Sequence, residues 1–440
     1  MEKENLKELI IEHKDRFLAR RDLLPRDIQQ EIGRYLPQRE IIILTGVRRC
    51  GKSSLLRLIC DDLLKIKAVP ARNILYLNFE DERFLPFTAQ NFDLLYETFM
   101  EVENPQGRLF LFLDEIQNIK GWEKWLNRLY EFEDVKAFVT GSNATMLSSE
   151  ISTALTGRNR QVVVWPFSFR EVLRLRGCIV DDRSLYRRNS RTEIKRLFRE
   201  YTELGGFPEV LKTGDTTLLT QYYRDILYRD VIARHAIKNI REIKELTLYL
   251  AANPATVLSY KNIQGMIGVR SINTVKNYLA ALNDVYLFFF TDMFDYSVKR
   301  QIYNPSKLYA VDTAMINSVS FRFSRNIGHL HENIVFLELK RRTREIYYGK
   351  TRKGKEVDFL IKEGLHVVEA IQVSSSLSDA KTRKRELEAL TEIREELKKG
   401  GQEAATRDLT MTVITDDEEN IVETENGHIR IIPLWKWLLG

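Results

Sequence analysis

Three cysteines in 440 residues are too few for a disulfide framework, and Cys50, Cys60 and Cys178 match no metal-site spacing. A small secreted scaffold and a structural zinc module are excluded, and a reducing cytoplasm fits. No apolar run approaches the roughly 18 residues of a bilayer-spanning helix. The first ten residues, M-E-K-E-N-L-K-E-L-I, are amphipathic and charged, without the apolar core of a signal peptide. The expectation is a soluble cytoplasmic chain with no membrane partner.

The length suits about three domains, and a hydrophobic content of 44% is ordinary for globular proteins. With 68 Lys and Arg against 62 Asp and Glu, the formal charge of +6 suggests a polyanionic partner. The basic residues cluster. One stretch holds Arg187, Arg188, Arg191, Lys195 and Arg196; another holds Arg341, Arg342, Arg344, Lys350, Arg352 and Lys353. Each reads either as a phosphate-binding patch or as a solvated helix face or hairpin.

The most informative segment is Ile41 to Ser54, I-I-I-L-T-G-V-R-R-C-G-K-S-S. An apolar, β-branched run enters G-x-x-x-x-G-K-S, and Leu55, Leu56, Ile59 and Leu63 then recur at helical spacing. A strand, a glycine-rich loop and a helix in this order form a phosphate cradle. Gly46, Val47, Arg48, Arg49, Cys50, Gly51, Lys52, Ser53 and Ser54 are the candidate nucleotide-binding residues. Lys52 is placed for the β and γ phosphates and the Ser53 hydroxyl for Mg²⁺. Cys50 within the loop reads as a small filler, with thiol sensitivity as the alternative.

Leu109 to Gln117, L-F-L-F-L-D-E-I-Q, is an apolar strand that ends in two acids. In a parallel sheet such acids lie at the carboxyl edge, where ligands bind. Asp114 is expected to hold the metal through water, and Glu115 to act as general base toward the attacking water. A third strand, Val135 to Val139, ends in T-G-S-N and brings Thr140, Ser142 and Asn143 to the same edge; Asn143, then Ser142, is the candidate γ-phosphate sensor. Arg158 is a candidate arginine finger, with an ordinary surface arginine as the alternative. The guanine-reading N-K-x-D motif is absent, so ATP is favoured over GTP, and the expected reaction is hydrolysis to ADP and phosphate.

Downstream, Ser168 to about Arg234 reads as mostly helical, broken by L-G-G-F-P-E. Helices then begin near Leu246, at Tyr260 and after Ser271. The last of these carries Ile272, Val275, Leu279 and Leu282 on one face and Asn273, Lys276 and Asn277 on the other. Strands at Val285 to Phe290 and Lys307 to Val311 follow, with Lys299 and Arg300 between them. Three helices and a basic hairpin compose a winged helix, in which Asn273, Lys276 and Asn277 would meet the major groove of DNA and Lys299 and Arg300 its backbone.

From about Ser324 the order is a helix with Glu332, two strands with Asp358 on the second, and a third apolar strand. This is the order of a restriction-endonuclease-like core, whose chemistry needs acids for Mg²⁺ and a lysine beside the water. The E-x-K position reads Gln372, Val373, Ser374. The lysine is missing, so Glu332, Asp358, Gln372 and Ser374 form a degenerate nuclease site; cleavage would need a lysine from elsewhere, Lys355 or Lys381. Glu369 lies one residue out of phase.

Over nearly its full length the chain resembles the archaeal and bacterial AAA+-like ATPases that join a P-loop core to a winged helix and a nuclease-like C-terminal domain. The carriers are G-V-R-R-C-G-K-S, L-D-E-I-Q, T-G-S-N, L-T-G-R, W-P-F-S-F-R-E, G-G-F-P-E and K-E-V-D-F-L-I. The resemblance implies an α/β fold: a doubly wound P-loop core over residues 1–167, a helical lid over 168–238, a winged helix over 239–323 and an endonuclease-like domain over 324–440. It also implies ATP binding and a polar residue after the third strand that orients water. If Arg158 acts in trans, a homo-oligomer is required. Three functions compete: an ATPase coupled to DNA binding, a nucleotide-gated switch that assembles protein partners, and a Mg²⁺-dependent nuclease.

Overall fold

The computed structural model describes residues 1–142, 155–181, 183–320, 327–342, 344–399, 408–425 and 427–440. The chain divides into two compact units, Met1–Pro166 with Asp284–Tyr286, and Phe167–Asn283 with Leu287–Gly440.

In the first unit, α1 (Lys3–Leu18), α2 (Gln29–Tyr35), α3 (Lys52–Lys65), α4 (Phe92–Glu103) and α5 (Trp122–Phe132) accompany β1 (Ile41–Thr45), β2 (Ile74–Asn78), β3 (Leu109–Asp114), β4 (Val135–Thr140) and β5 (Asn159–Val163). The strands form one sheet in the order β2-β3-β4-β1-β5, and every pairing is parallel. Each residue of β1, β3 and β4 is buried, as expected where helices cover both faces and no polar alternation is needed. Leu6, Leu9, Ile10 and Phe17 of α1 are buried at helical spacing, and the first three join the core formed with Leu75, Leu111, Phe99 and Trp122. Lys136 is buried in β4 and donates to the carbonyls of Tyr35, Gln38 and Glu40, tying the segment before β1 to the sheet. Burial is the main cause that lowers its pKa, to about 8.

The second unit begins with α6 (Phe169–Leu175), α7 (Arg188–Leu204), α8 (Pro208–Thr213) and α9 (Thr217–Asp225), which runs into a π-helical stretch, Ile226–Ala233. Then come α10 (Ile240–Ala252), α11 (Tyr260–Ile267), α12 (Ile272–Asp284), β6 (Phe288–Thr291), α13 (Val298–Tyr303), β7 (Lys307–Ala310), α14 (Thr313–Val319) and α15 (Ile327–Arg341). A six-stranded sheet closes the chain: β8 (Glu345–Lys350), β9 (Glu356–Glu363), β10 (His366–Val373), β11 (Thr410–Thr415), β12 (Asn420–Thr424) and β13 (Gly427–Pro433), with α16 (Ala380–Lys399) between β10 and β11 and α17 (Leu434–Trp437) at the end. Its order is β12-β13-β11-β10-β9-β8; β10, β11 and β13 run parallel, while β8, β9 and β12 pair antiparallel.

The G-G-F-P-E turn has a partner that its sequence does not announce. Gly205 has φ +71°, and a Cβ there would lie 2.3 Å from Asp312 Oδ1. The Gly206 N–H donates to Asp312 Oδ2 at 2.7 Å, and Asp312 Oδ1 caps α14 by accepting from Met315 N at 2.9 Å. The two glycines therefore let backbone close around one buried carboxylate. Burial pushes that carboxyl up to about 6, against the backbone N–H of Gly206 and Met315, which pull it down.

Several expectations need correction. Val285 and Tyr286 lie in a turn before β6, with Tyr286 at φ 61°, a conformation incompatible with a strand. Ile272 is 39% exposed at the start of α12, and Tyr278 takes its place on the buried face. The segment between β6 and β7 is not a bare basic hairpin: it contains α13, which carries Lys299 and Arg300 and buries none of its residues. The basic stretch after Arg341 is largely neutralised. Arg341 and Arg342 pair with Glu338, Arg344 with Glu363, and Lys353 with Glu392.

Candidate functional site

The phosphate loop leaves β1 with Gly46 at φ +141°, where a Cβ would meet Val164 O at 2.2 Å, so only glycine fits. Arg49 (φ 70°) and Gly51 (φ 103°) curl the loop into the N-terminus of α3, which directs backbone N–H groups and the helix dipole toward one point. Lys52 is 5% exposed, and its Nζ donates to the carbonyls of Gly46 at 2.9 Å and Val47 at 3.2 Å. Ser53 is exposed at the first turn. Arg48 reaches out of the loop to Glu80 at 3.2 Å. Cys50 is fully buried, and burial raises its pKa, so the thiol stays protonated and the filler reading fits.

Beneath the loop lies a support that sequence reasoning missed. Arg26 donates from Nη1 to Cys50 O at 3.3 Å and from Nη2 to Trp165 O at 2.8 Å. Its guanidinium joins the loop to the segment after β5, and at 7% exposure the charge is held by carbonyl dipoles. A lone arginine in a polar segment carried no local signal.

The acids sit at the carboxyl end of β3. Asp114 is 1% exposed; Tyr76 OH donates to its Oδ2 at 3.1 Å, and Thr140 OH donates to its Oδ1. Thr140 Oγ1 in turn accepts from Glu115 N at 2.9 Å. Glu115 has φ 53°, which swings it out of the strand, and Gln117 Nε2 donates to its Oε2 at 2.5 Å. Gln117 is 7% exposed. The structure thus brings the loop, Asp114, Glu115 and Thr140 to the carboxyl ends of neighbouring strands. Ser142 is buried just beyond β4, whereas Asn143 lies outside the described residues.

Arg158 is on the opposite edge. Its carbonyl accepts from Ile41 N at 2.9 Å, at the start of β1, and five residues of parallel strand separate that edge from the loop. Its guanidinium pairs with Glu131 at 2.6 Å. It cannot reach the phosphate loop of its own chain.

In the second unit, Asn273, Lys276 and Asn277 are all exposed on α12, which Ser271 caps by accepting from Asn273 N at 3.1 Å. Lys276 Nζ lies 5.7 Å from the Tyr260 ring centre. Lys299 and Arg300 are exposed on α13, with Arg300 paired to Asp295 at 3.0 Å.

The acids of the C-terminal region also converge. Glu332 on α15 and Asp358 on β9 both meet Lys307 of β7, as does Glu356. Gln372 joins them differently: its Oε1 accepts from Asp358 N at 3.1 Å, and its Nε2 donates to Glu386 Oε2 at 2.5 Å. Ser374 Oγ turns to the Ser376 carbonyl. Burial and then the Asp358 charge push Glu332 up to about 8. Lys355 is held by Glu388 and Glu392 and Lys381 is exposed, so neither is the lysine of this cluster. Among the described residues no group of three or more His, Cys, Asp and Glu side chains is arranged to hold a metal ion, and no helix is long and apolar enough to cross a membrane.

Comparison with known proteins places an AAA domain over the region that holds the phosphate loop and the paired acids. Residues 38–173 match the profile of an AAA domain, and residues 195–326 and 327–437 match two domains of unknown function, DUF8612 and DUF4143. Among solved structures, the ORC2 protein of Aeropyrum pernix is similar at 12% identity and a TM-score of 0.39, covering 73% of this chain and 98% of that one. An uncharacterized protein of Haemophilus influenzae is 30% identical over 331 residues, 73% of this chain and 80% of its own length. An uncharacterized protein of Methanocaldococcus jannaschii is 34% identical over 430 residues, covering 94% of this chain and 91% of the relative. With this likeness over almost the whole length, the chain belongs to the same family as the Methanocaldococcus protein, and its residues 38–173, which hold the phosphate loop and the paired acids, match an AAA domain.

Proposed function

We propose that this protein is an ATPase that hydrolyses ATP to ADP and phosphate and couples its nucleotide state to DNA binding. The observation that carries the hydrolysis is the Thr140 bridge, which joins Asp114 and the backbone of Glu115 at the sheet edge where the phosphate loop ends β1. Loop N–H groups and Lys52 receive the phosphates, with Lys52 exchanging its two carbonyl acceptors for phosphate oxygens. The Ser53 hydroxyl and the Asp114 carboxylate are hard oxygen donors of the kind Mg²⁺ takes, and the ion supplies charge neutralisation at the β and γ phosphates when bound. Glu115 accepts the proton of the attacking water as its oxygen bonds to the γ phosphorus and the bond to the bridging oxygen of ADP breaks. Arg158, remote from its own loop, would act only on the nucleotide of another copy.

DNA binding rests on exposed Asn273, Lys276 and Asn277 on one helix and Lys299 and Arg300 on another. The order of α10, α11, α12, β6 and β7 is read as a winged helix, although α13 replaces a plain wing. Coupling is favoured by one hydrogen bond within the first unit. Tyr286, which follows α12 by two residues, donates to Thr45 Oγ1 at 2.8 Å, directly before Gly46. The C-terminal sheet, with its helix-strand-strand-strand order, is read as an endonuclease-like fold that binds rather than cleaves.

The test is ATP turnover with Mg²⁺, with and without single-stranded, duplex and branched DNA. Stimulation by DNA, absent in Lys52→Ala and Glu115→Gln and removed by Tyr286→Phe at unchanged basal turnover, is the expected result. Turnover indifferent to every DNA overturns the coupling and favours the assembly switch.

A further inference from the structure

The carboxylates of the C-terminal cluster surround an ammonium. Lys307 opens β7, and its Nζ lies 2.7 Å from Glu332 Oε1, 2.5 Å from Glu356 Oε1 and 2.9 Å from Asp358 Oδ1, with its side chain only 2% exposed. An ammonium has three N–H donors and no acceptor, so three carboxylates use it completely. Tyr309, two residues on and therefore on the same strand face, donates from its hydroxyl to Glu332 Oε1 at 2.7 Å. The second oxygen of Asp358 accepts from Val373 N at 2.9 Å.

Hard carboxylate oxygens converging from a helix and a strand are the donors that a divalent cation takes in metal-assisted hydrolysis. A lysine serving such a reaction stands beside the water that the metal carries. Lys307 instead bonds to all three acids at once, at the centre of the cluster. We propose that Lys307 is a built-in cation that fills this carboxylate centre in place of a divalent metal and thereby pins the β6–β7 hairpin to α15 and β9. It follows that the domain binds no catalytic metal and that its shape does not depend on one. The charge of Lys307 is carried on the chain itself, so chelators leave the domain intact. Removal of the ammonium leaves the three converging acids without their cation and turns the centre into a divalent cation site.

The experiment uses the full chain without nucleotide, titrated with Mn²⁺ and followed by electron paramagnetic resonance, alongside thermal unfolding. Lys307→Ala is expected to unfold roughly 10 °C lower than wild type, to gain one Mn²⁺ site at least tenfold tighter than any in wild type, and to recover at least half of the lost unfolding temperature when Mn²⁺ is added. Adding Asp358→Asn to Lys307→Ala abolishes the site. Lys307→Met preserves side-chain volume and gives the same gain if the alanine variant does not accumulate. Wild-type protein that binds Mn²⁺ stoichiometrically through Asp358, or folded lysine variants that gain no site, overturns the proposal. Neither readout involves ATP turnover.

Discussion

The two acidic centres of this chain hold their carboxylates in opposite ways. Asp114 and Glu115 are held by neutral donors, the hydroxyls of Tyr76 and Thr140 and the amide of Gln117. Glu332, Glu356 and Asp358 are held by a cation, Lys307. A neutral donor orients a carboxylate and leaves its charge available for a metal or a proton; an ammonium orients it and offsets part of its charge. The first unit also has a buried lysine, but Lys52 bonds to carbonyl oxygens of the loop, apart from the acids. On the proposed reading, chemistry falls to the first centre and cohesion to the second.

Removing each lysine breaks this comparison most sharply. Lys307→Met should lower unfolding stability by about 3–5 kcal/mol, because it leaves buried carboxylates without their counter-charge; denaturant melts measure it. Lys52→Ala should change stability by about 1 kcal/mol or less yet weaken ATP binding about 100-fold, near 3 kcal/mol, as read by nucleotide titration. Equal stability losses in the two would erase the distinction.

A further buried carboxylate, Asp312, is held chiefly by backbone N–H groups, with the Arg341 charge nearby, which sharpens the point. Its folded pKa of about 6 lies above the ordinary 3.8. Its stabilising contribution is therefore fully present below about pH 4 and lost as pH rises through about 6, up to about 3 kcal/mol. The unfolding midpoint against pH should show this slope in wild type and lose it in Asp312→Asn. Gly205→Ala, which drives a methyl into the same carboxylate from a left-handed backbone, should cost about 2 kcal/mol. Loss of less than about 0.5 kcal/mol would show that the turn relaxes freely.

The smallest effect is expected at Gln117. If its amide positions Glu115, Gln117→Leu lowers kcat about tenfold, near 1.4 kcal/mol, with KM for ATP unchanged. A change in KM alone would assign Gln117 to nucleotide binding.

The first centre was legible in the sequence because its parts are contiguous. G-V-R-R-C-G-K-S and L-D-E-I-Q each place chemistry at the end of an apolar run, and a parallel sheet brings such ends together. Strands β1, β3 and β4 were legible for the same reason. Arg26, Asp312 and Lys307 were not, since each acts through a partner 51 to 139 residues away and none belongs to a local pattern; Gln117 stands inside L-D-E-I-Q, but nothing in that motif marks its bond to Glu115. The E-x-K position reads Gln372, Val373, Ser374 and carries no lysine of its own. No spacing rule could show that Lys307, 51 residues before Asp358, had entered the cluster. The α13 helix was missed because its six residues bury nothing, so no hydrophobic period marks it.

The central claim, that neutral donors leave the Asp114 and Glu115 charges free for chemistry, is tested most directly by single-turnover hydrolysis of ATP by wild type and Glu115→Gln at matched nucleotide occupancy. The account predicts that the variant binds ATP within about threefold of wild type and hydrolyses it at least 100-fold more slowly. Hydrolysis at the wild-type rate by Glu115→Gln would contradict it.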